Sequence, residues 1–108
     1  MQVFEGDVTM TINKKVDGNK MTLSLEDRLD TTTAPQLENE LKVSLYEIKE
    51  LTLDLEKLEY LSSAGLRVLL AAQKQLQKQG GEMVILNVNE TIMEVFEVTG
   101  FVDIITIK

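Results

Sequence analysis

Ser62 and Ser63 stand side by side in the run Tyr60-Leu61-Ser62-Ser63-Ala64-Gly65-Leu66-Arg67, just ahead of leucines at helical spacing. A hydroxyl at the head of a helix has three uses. It caps the helix by accepting a hydrogen bond from an orphan backbone N–H, it attacks as a nucleophile where a base is at hand, or it carries a phosphate, whose charge suits the amino end of a helix. The chain contains neither His nor Cys, so the usual general base, the thiolate nucleophile and the commonest transition-metal ligands are all missing. A Ser-His-Asp hydrolase cannot be built from it. An enzyme with Ser63 as nucleophile and Asp30 or a lysine as base ranks far below a binding role. Capping is the simplest use of the two serines, and spacing alone favours it for both.

Gly65 adds a constraint. Glycine inside the first helical turn costs about 1 kcal/mol relative to alanine, so something must approach that backbone closely, either the sheet below or a partner above. Arg67, on the same helix, reads as a surface arginine or as a group that meets a phosphate. Asp30, before a different helix, reads first as a residue that bonds its own loop backbone.

The elements that position these residues follow from hydrophobic spacing. Val8, Met10 and Ile12 alternate with polar residues through Val16, Asp17-Gly18 marks a turn, and Met21, Leu23 and Leu25 alternate again, which predicts a hairpin. Thr33-Ala34-Pro35-Gln36 carries a capping pattern, and Leu37, Leu41 and Leu45 extend a first helix from about Thr33 to Tyr46. Leu51, Leu53 and Leu55 predict a third strand, with Glu56 to Leu61 as a connection. Leu66, Leu69, Leu70 and Leu76 mark the second helix, ended by Gly80-Gly81. Met83-Val84-Ile85-Leu86 reads as a strand buried on both faces or flanked by neighbours. Asn89 caps a third helix whose Ile92, Met93 and Phe96 fill the core, Gly100 stops it, and a short strand comes last, near Asp103 to Ile107. This order predicts one α/β domain over 1–108, with right-handed crossovers and a mixed sheet.

Composition narrows the functions. With 18 acidic and 11 basic residues the net charge is -7, which opposes contact with a phosphate backbone and argues against nucleic acid as a partner. The first residues lack the basic start and apolar run of a secretory signal, and no segment approaches the roughly 20 apolar residues that span a bilayer. A cytoplasmic location without membrane insertion is expected.

At the serine pair the chain resembles a known family. The stretch from Leu55 to Leu70, with Tyr60 and Leu61 before the serines and Gly65-Leu66 after them, is similar to the signature of STAS-domain anti-sigma-factor antagonists. Arg28-Leu29-Asp30-Thr31-Thr32-Thr33-Ala34-Pro35 resembles the second family motif, a loop with Leu-Asp before the first helix. The resemblance implies a STAS-like fold, with about five strands in a mixed sheet and three or more helices mainly on one face. It puts the phosphoacceptor at Ser63 with Ser62 as runner-up, Asp30 as the loop aspartate near it, and Asp54 as the aspartate ending the third strand. It also implies a partner surface of Asp30, Thr31, Ser62, Ser63, Ala64, Gly65 and Arg67.

The resemblance further implies that the unphosphorylated chain binds an anti-sigma factor that is also a serine kinase. Phosphorylation releases it and a serine phosphatase restores it. ATP and magnesium belong to the kinase, so no cofactor and no metal is expected here, and the family default is a monomer. Two positions depart from the pattern: Ser62 stands where an aspartate is usual, and Asp27 where glycine is common. The departure at Ser62 keeps a second use of the module in view, an accessory subunit that docks on another protein such as a transporter ATPase without a phosphorylation cycle.

Overall fold

The computed structural model describes residues 10–108. Strand β1 (Thr11–Asp17) turns back through Gly18 and Asn19 into β2 (Lys20–Leu29). Helix α1 (Ala34–Ser44), strand β3 (Glu50–Leu61), helix α2 (Ser63–Lys78), strand β4 (Glu82–Leu86) and helix α3 (Glu90–Thr99) come next, and a short 3-10 turn, Phe101–Asp103, leads into β5 (Thr106–Ile107). The sheet order is β1-β2-β3-β4-β5, antiparallel between β1 and β2 and parallel from there on. This is the α/β mixed sheet of five strands expected from the sequence.

Burial shows which face of the sheet the helices cover. Met21, Leu51 and Met83 are paired across β2, β3 and β4, as are Leu23, Leu53 and Ile85, and all six are fully buried. Their alternates Thr22, Ser24, Thr52, Asp54, Val84 and Leu86 are only half-buried, so a single apolar face is covered. Leu37 and Leu41 of α1, Leu66, Leu69 and Leu76 of α2, and Ile92 and Phe96 of α3 complete that core. Parallel strands in consecutive order, joined by crossovers of one hand, carry their helices on one face.

Several expectations change on contact with the structure. Val8 and Thr9, placed in the first strand, lie outside the described residues; Met10 is held by Gln36, whose Oε1 accepts from the Met10 N–H at 2.9 Å and whose Nε2 donates to the Met10 carbonyl at 2.5 Å. The first helix begins one residue after Thr33 and stops at Ser44 rather than Tyr46. Strand β4 is flanked by neighbours, β3 and β5, as one of the two expectations had it, and is not buried on both faces, since Val84 and Leu86 on the open side are only half-buried.

The largest correction concerns β3. The segment Glu56 to Leu61 is no connection but the second half of a twelve-residue strand, in which Leu55, Leu58 and Leu61 stay buried. Steps of three between these leucines break the period of two, and the irregular pairing with β2 shows why: the register shifts between Ser24 and Glu26 and again between Asp27 and Arg28. An extra residue in a strand re-aims the side chains beyond it, so burial resumes on the same face with an altered count. Asp27 sits in this irregular stretch with φ 79°, a left-handed backbone that glycine adopts freely and aspartate tolerates better than most. The departure from glycine at this position therefore has a conformational meaning.

Candidate functional site

The carboxyl ends of β2 and β3 and the head of α2 meet at one corner, as the parallel register demands. Leu29 pairs with Leu61, and the Ser62 N–H then donates to the Leu29 carbonyl at 2.9 Å, which fastens the start of α2 to the end of β2. Gly65 is buried there. A β-carbon on it would stand 2.6 Å from Leu29 Cγ and 2.8 Å from Leu61 Cδ1, so the close approach that a glycine implied is made by the sheet. Gly65 thus faces the sheet.

This packing gives the two serines different surroundings. Ser62 is the N-cap of α2, in extended geometry (φ -102°, ψ 175°), yet its side chain makes no capping bond. Its Oγ is sealed from solvent and has no hydrogen-bond partner among the described residues. Ser63 opens the helix and is exposed. The expectation that one of the pair caps the helix is not met by either side chain.

Asp30 lies just past Leu29 and is the organiser of its loop. Its Oδ1 accepts from the N–H groups of Thr32 (2.9 Å) and Thr33 (3.2 Å), and its own N–H donates to the Thr33 hydroxyl at 2.9 Å. That hydroxyl donates in turn to the Arg28 carbonyl at 2.8 Å. Thr33, expected to cap α1 with its side chain, makes no such bond; it is buried, at 1% exposure, and staples the loop from beneath. The Asp30 backbone carbonyl accepts from Ala34 N–H at 2.7 Å and so serves the first turn instead.

Arg28 completes the corner. Its Nε donates to Asp30 Oδ2 at 3.2 Å, and its guanidinium carbon lies 4.4 Å from the centre of the Tyr60 ring, the residue with which it is paired across β2 and β3. Burial alone pushes the Asp30 carboxyl up. The Thr33 N–H, the Arg28 guanidinium and the Thr32 N–H outweigh it, and the carboxyl is held below its ordinary value.

The corner thus gathers Asp30, Ser62, Ser63, Ala64 and Gly65 around the junction of Leu29 with Ser62, with Thr31 exposed on the loop and Arg67 exposed further along α2. Asp54 does not join them. It lies in the middle of β3 on the open face, about 30 Å of extended chain from α2, and accepts from Glu56 N–H at 3.1 Å and Asn87 Nδ2 at 3.0 Å. Its expected place at the strand's end fails because β3 continues to Leu61. Arg28 and Thr33 shape the loop, and sequence reasoning missed both as members of the site. Arg28 and Asp30 two apart at a strand end is a weak signal, and the stacking on Tyr60 depends on a register that spacing along one strand does not disclose.

Chemically the corner offers the exposed Ser63 hydroxyl at the head of α2, the exposed Thr31 and Thr32 on the loop, and a carboxylate already committed to that loop. Asp30 accepts from two N–H groups and a guanidinium, and its depressed pKa makes it a poor base, so a nucleophilic Ser63 would lack activation. No group of three or more acidic, His or Cys side chains able to hold a metal occurs among the described residues. No described helix is long and apolar enough to cross a membrane.

Known proteins resemble the chain in sequence and in overall fold. Residues 11–108 match the family model described as STAS domain. The protein BtrV of Bordetella bronchiseptica is 40% identical over 91 residues, covering 83% of this chain and 78% of its own. The anti-sigma-B factor antagonist of Listeria monocytogenes is 34% identical over 98 residues, covering 88% of this chain and 84% of its own. Among solved structures, the anti-sigma factor antagonist SpoIIAA superposes with a TM-score of 0.72 in its unphosphorylated form, at 17% identity over 92% of this chain and 86% of that one. Its phosphorylated form gives 0.71 at 18% identity, over 92% and 90%. With a family match over residues 11–108 and a five-stranded fold shared with solved structures to go with it, the chain belongs to the STAS domain family.

Proposed function

We propose that this chain is an anti-sigma factor antagonist: it docks on its anti-sigma factor while Ser63 is unmodified, and phosphorylation of Ser63 releases it. The observation that carries the reading is the contrast at the head of α2, where the Ser63 side chain is exposed and the Ser62 hydroxyl is sealed. An enzyme that transfers a phosphate must reach the oxygen, and only one of the two is within reach. The names of the relatives support the antagonist role, and the inertness of the corner as a catalytic site favours binding over turnover.

The energetics of the switch follow from where the charge lands. A phosphate adds about -1.5 to -2 charges beside the free N–H groups of the first turn, where an anion gains roughly 0.3–1 kcal/mol, so the fold tolerates it. At a docked interface an uncompensated charge costs on the order of 3–5 kcal/mol, or about two to four decades in Kd. Asp30, Thr31, Ala64 and Arg67 surround Ser63 as the contact surface, with Gly65 acting from below by letting α2 sit low on the sheet. The partners are a serine kinase that is itself the anti-sigma factor and a serine phosphatase, and the setting is the cytoplasm.

Two measurements test this. Mass spectrometry of the protein recovered from its own cells should map the phosphate to Ser63. Binding to the anti-sigma factor should fall by a hundredfold or more in Ser63→Asp and stay near wild type in Ser63→Ala, while the Tm values of the two variants stay close. A phosphate on Ser62, or equal affinity of the two variants, would overturn the reading.

A further inference from the structure

Ser63 and Arg67 lie four residues apart on α2, and both are exposed. At this spacing two side chains share one stripe of the helix. The Cα–Cβ bonds of a helix tilt toward its amino end, so a long side chain at 67 reaches back over the turn that carries residue 63. The order is also the favourable one, with the site of negative charge on the amino side of the cation.

Arg67 is free to make that contact. Among the described residues the ion pairs join Lys14 to Glu40, Lys20 to Glu50 and Arg28 to Asp30, and none involves Arg67. Arg28, the other guanidinium at this corner, is already engaged by the Asp30 carboxylate and the Tyr60 ring. The one carboxylate lining the same groove as Arg67 is the exposed Glu38 of α1, and no bond joins the two. A phosphate outcompetes such a carboxylate because it brings nearly two charges and three acceptor oxygens to a planar fork of N–H donors.

We propose that Arg67 is the intrachain partner of a phosphate on Ser63. The inference rests on the reading of Ser63 as the phosphoacceptor and deepens it. In the unmodified chain the guanidinium has no acidic partner among the described residues and is available to an acidic group on the docked protein. Once Ser63 is phosphorylated, Arg67 folds back on the phosphate. Modification then acts twice, by placing a charge in the contact and by withdrawing a cation from it.

The test installs phosphoserine at position 63 of the full chain during translation, so that no kinase is needed, and tracks the second ionisation of the phosphate by phosphorus NMR. That pKa is about 6 in the absence of a partner. Pairing lowers it, and Arg67→Gln should raise it again by about 0.2–0.4 unit, the size expected of an exposed pair at this spacing. Arg67→Lys should restore part of the shift, because it keeps the charge and loses the fork. Arg28→Gln should leave the value where it is. An unchanged pKa in Arg67→Gln, or a larger rise in Arg28→Gln, would overturn the proposal. The two readings fail separately, since a kinase that ignores Ser63 sinks the switch without altering this titration.

Discussion

Asp30 and Thr33 hold each other reciprocally: the Asp30 N–H donates to the Thr33 hydroxyl at 2.9 Å, while the Thr33 N–H donates to the Asp30 carboxylate at 3.2 Å. The exchange closes the turn between β2 and α1 with both side chains used. It also leaves Thr31 exposed on the loop. The loop is built before any partner arrives, and its shape depends on a carboxylate that is charged.

The first prediction tests that dependence. Asp30→Ala removes the acceptor for two N–H groups and should cost about 1–2 kcal/mol at neutral pH. Asp30→Asn keeps an acceptor oxygen and loses mainly the half-exposed Arg28 pair, a loss of roughly 0.2–1 kcal/mol. Because the folded Asp30 pKa lies below its ordinary 3.8, the stabilisation is present above that value and disappears as pH falls through the folded pKa. Urea unfolding at pH 7 and at about pH 2.5 should therefore show the gap between wild type and Asp30→Asn closing in acid. A gap of constant size would mean that the charge contributes nothing. Glu40, lowered by the Ser44 hydroxyl and by Lys14, weakens in the same direction and affects both proteins equally.

The second prediction concerns Ser62. Replacing a serine N-cap with alanine ordinarily costs about 1 kcal/mol. Here the hydroxyl caps nothing and is buried without a partner, and an unsatisfied buried polar group itself costs about 1–3 kcal/mol. Ser62→Ala should consequently be neutral or stabilising in a denaturation series. A loss of about 1 kcal/mol or more, the size of an ordinary cap, would show that the hydroxyl is bonded in solution.

Gly65 supplies the third. On propensity alone Gly65→Ala gains about 1 kcal/mol. The added carbon would meet Leu29 Cγ at 2.6 Å, and overpacking of this kind costs about 1–3 kcal/mol. A net loss of stability is expected, and the loss from Gly65→Ala should shrink in a Leu29→Ala background, which lacks the γ-carbon that the added atom meets. A more stable Gly65→Ala would mean that α2 rides higher on the sheet than the Leu29 contact implies.

Asp27 supplies the fourth. Its φ of 79° strains any residue with a β-carbon, so Asp27→Gly should raise stability by roughly 0.5–1 kcal/mol and Asp27→Val should lower it by more. Thermal unfolding decides, and a loss in Asp27→Gly would show that the aspartate side chain is itself holding the irregular turn of β2.

What local chemistry decides was legible in the sequence. Alternating Met21, Leu23 and Leu25 announced a strand, Leu37 and Leu41 a helix face, and Asn89 a cap that does accept from Ile92 N–H at 2.8 Å. Gly100, with φ 79°, ends α3 as expected. These signals reside in residues close together along the chain, where backbone geometry and side-chain spacing are coupled directly. The serine pair was legible too, as two hydroxyls at a helix head.

Which of those hydroxyls meets water was decided only by tertiary structure. Ser62 is sealed because its N–H reaches across to Leu29 and draws α2 onto the sheet, a contact between residues far apart along the chain. The same distant pairing set Arg28 on Tyr60, carried β3 on to Leu61 and left Asp54 away from the corner. Register between parallel strands is a balance of burial over the whole sheet, and no single segment contains it.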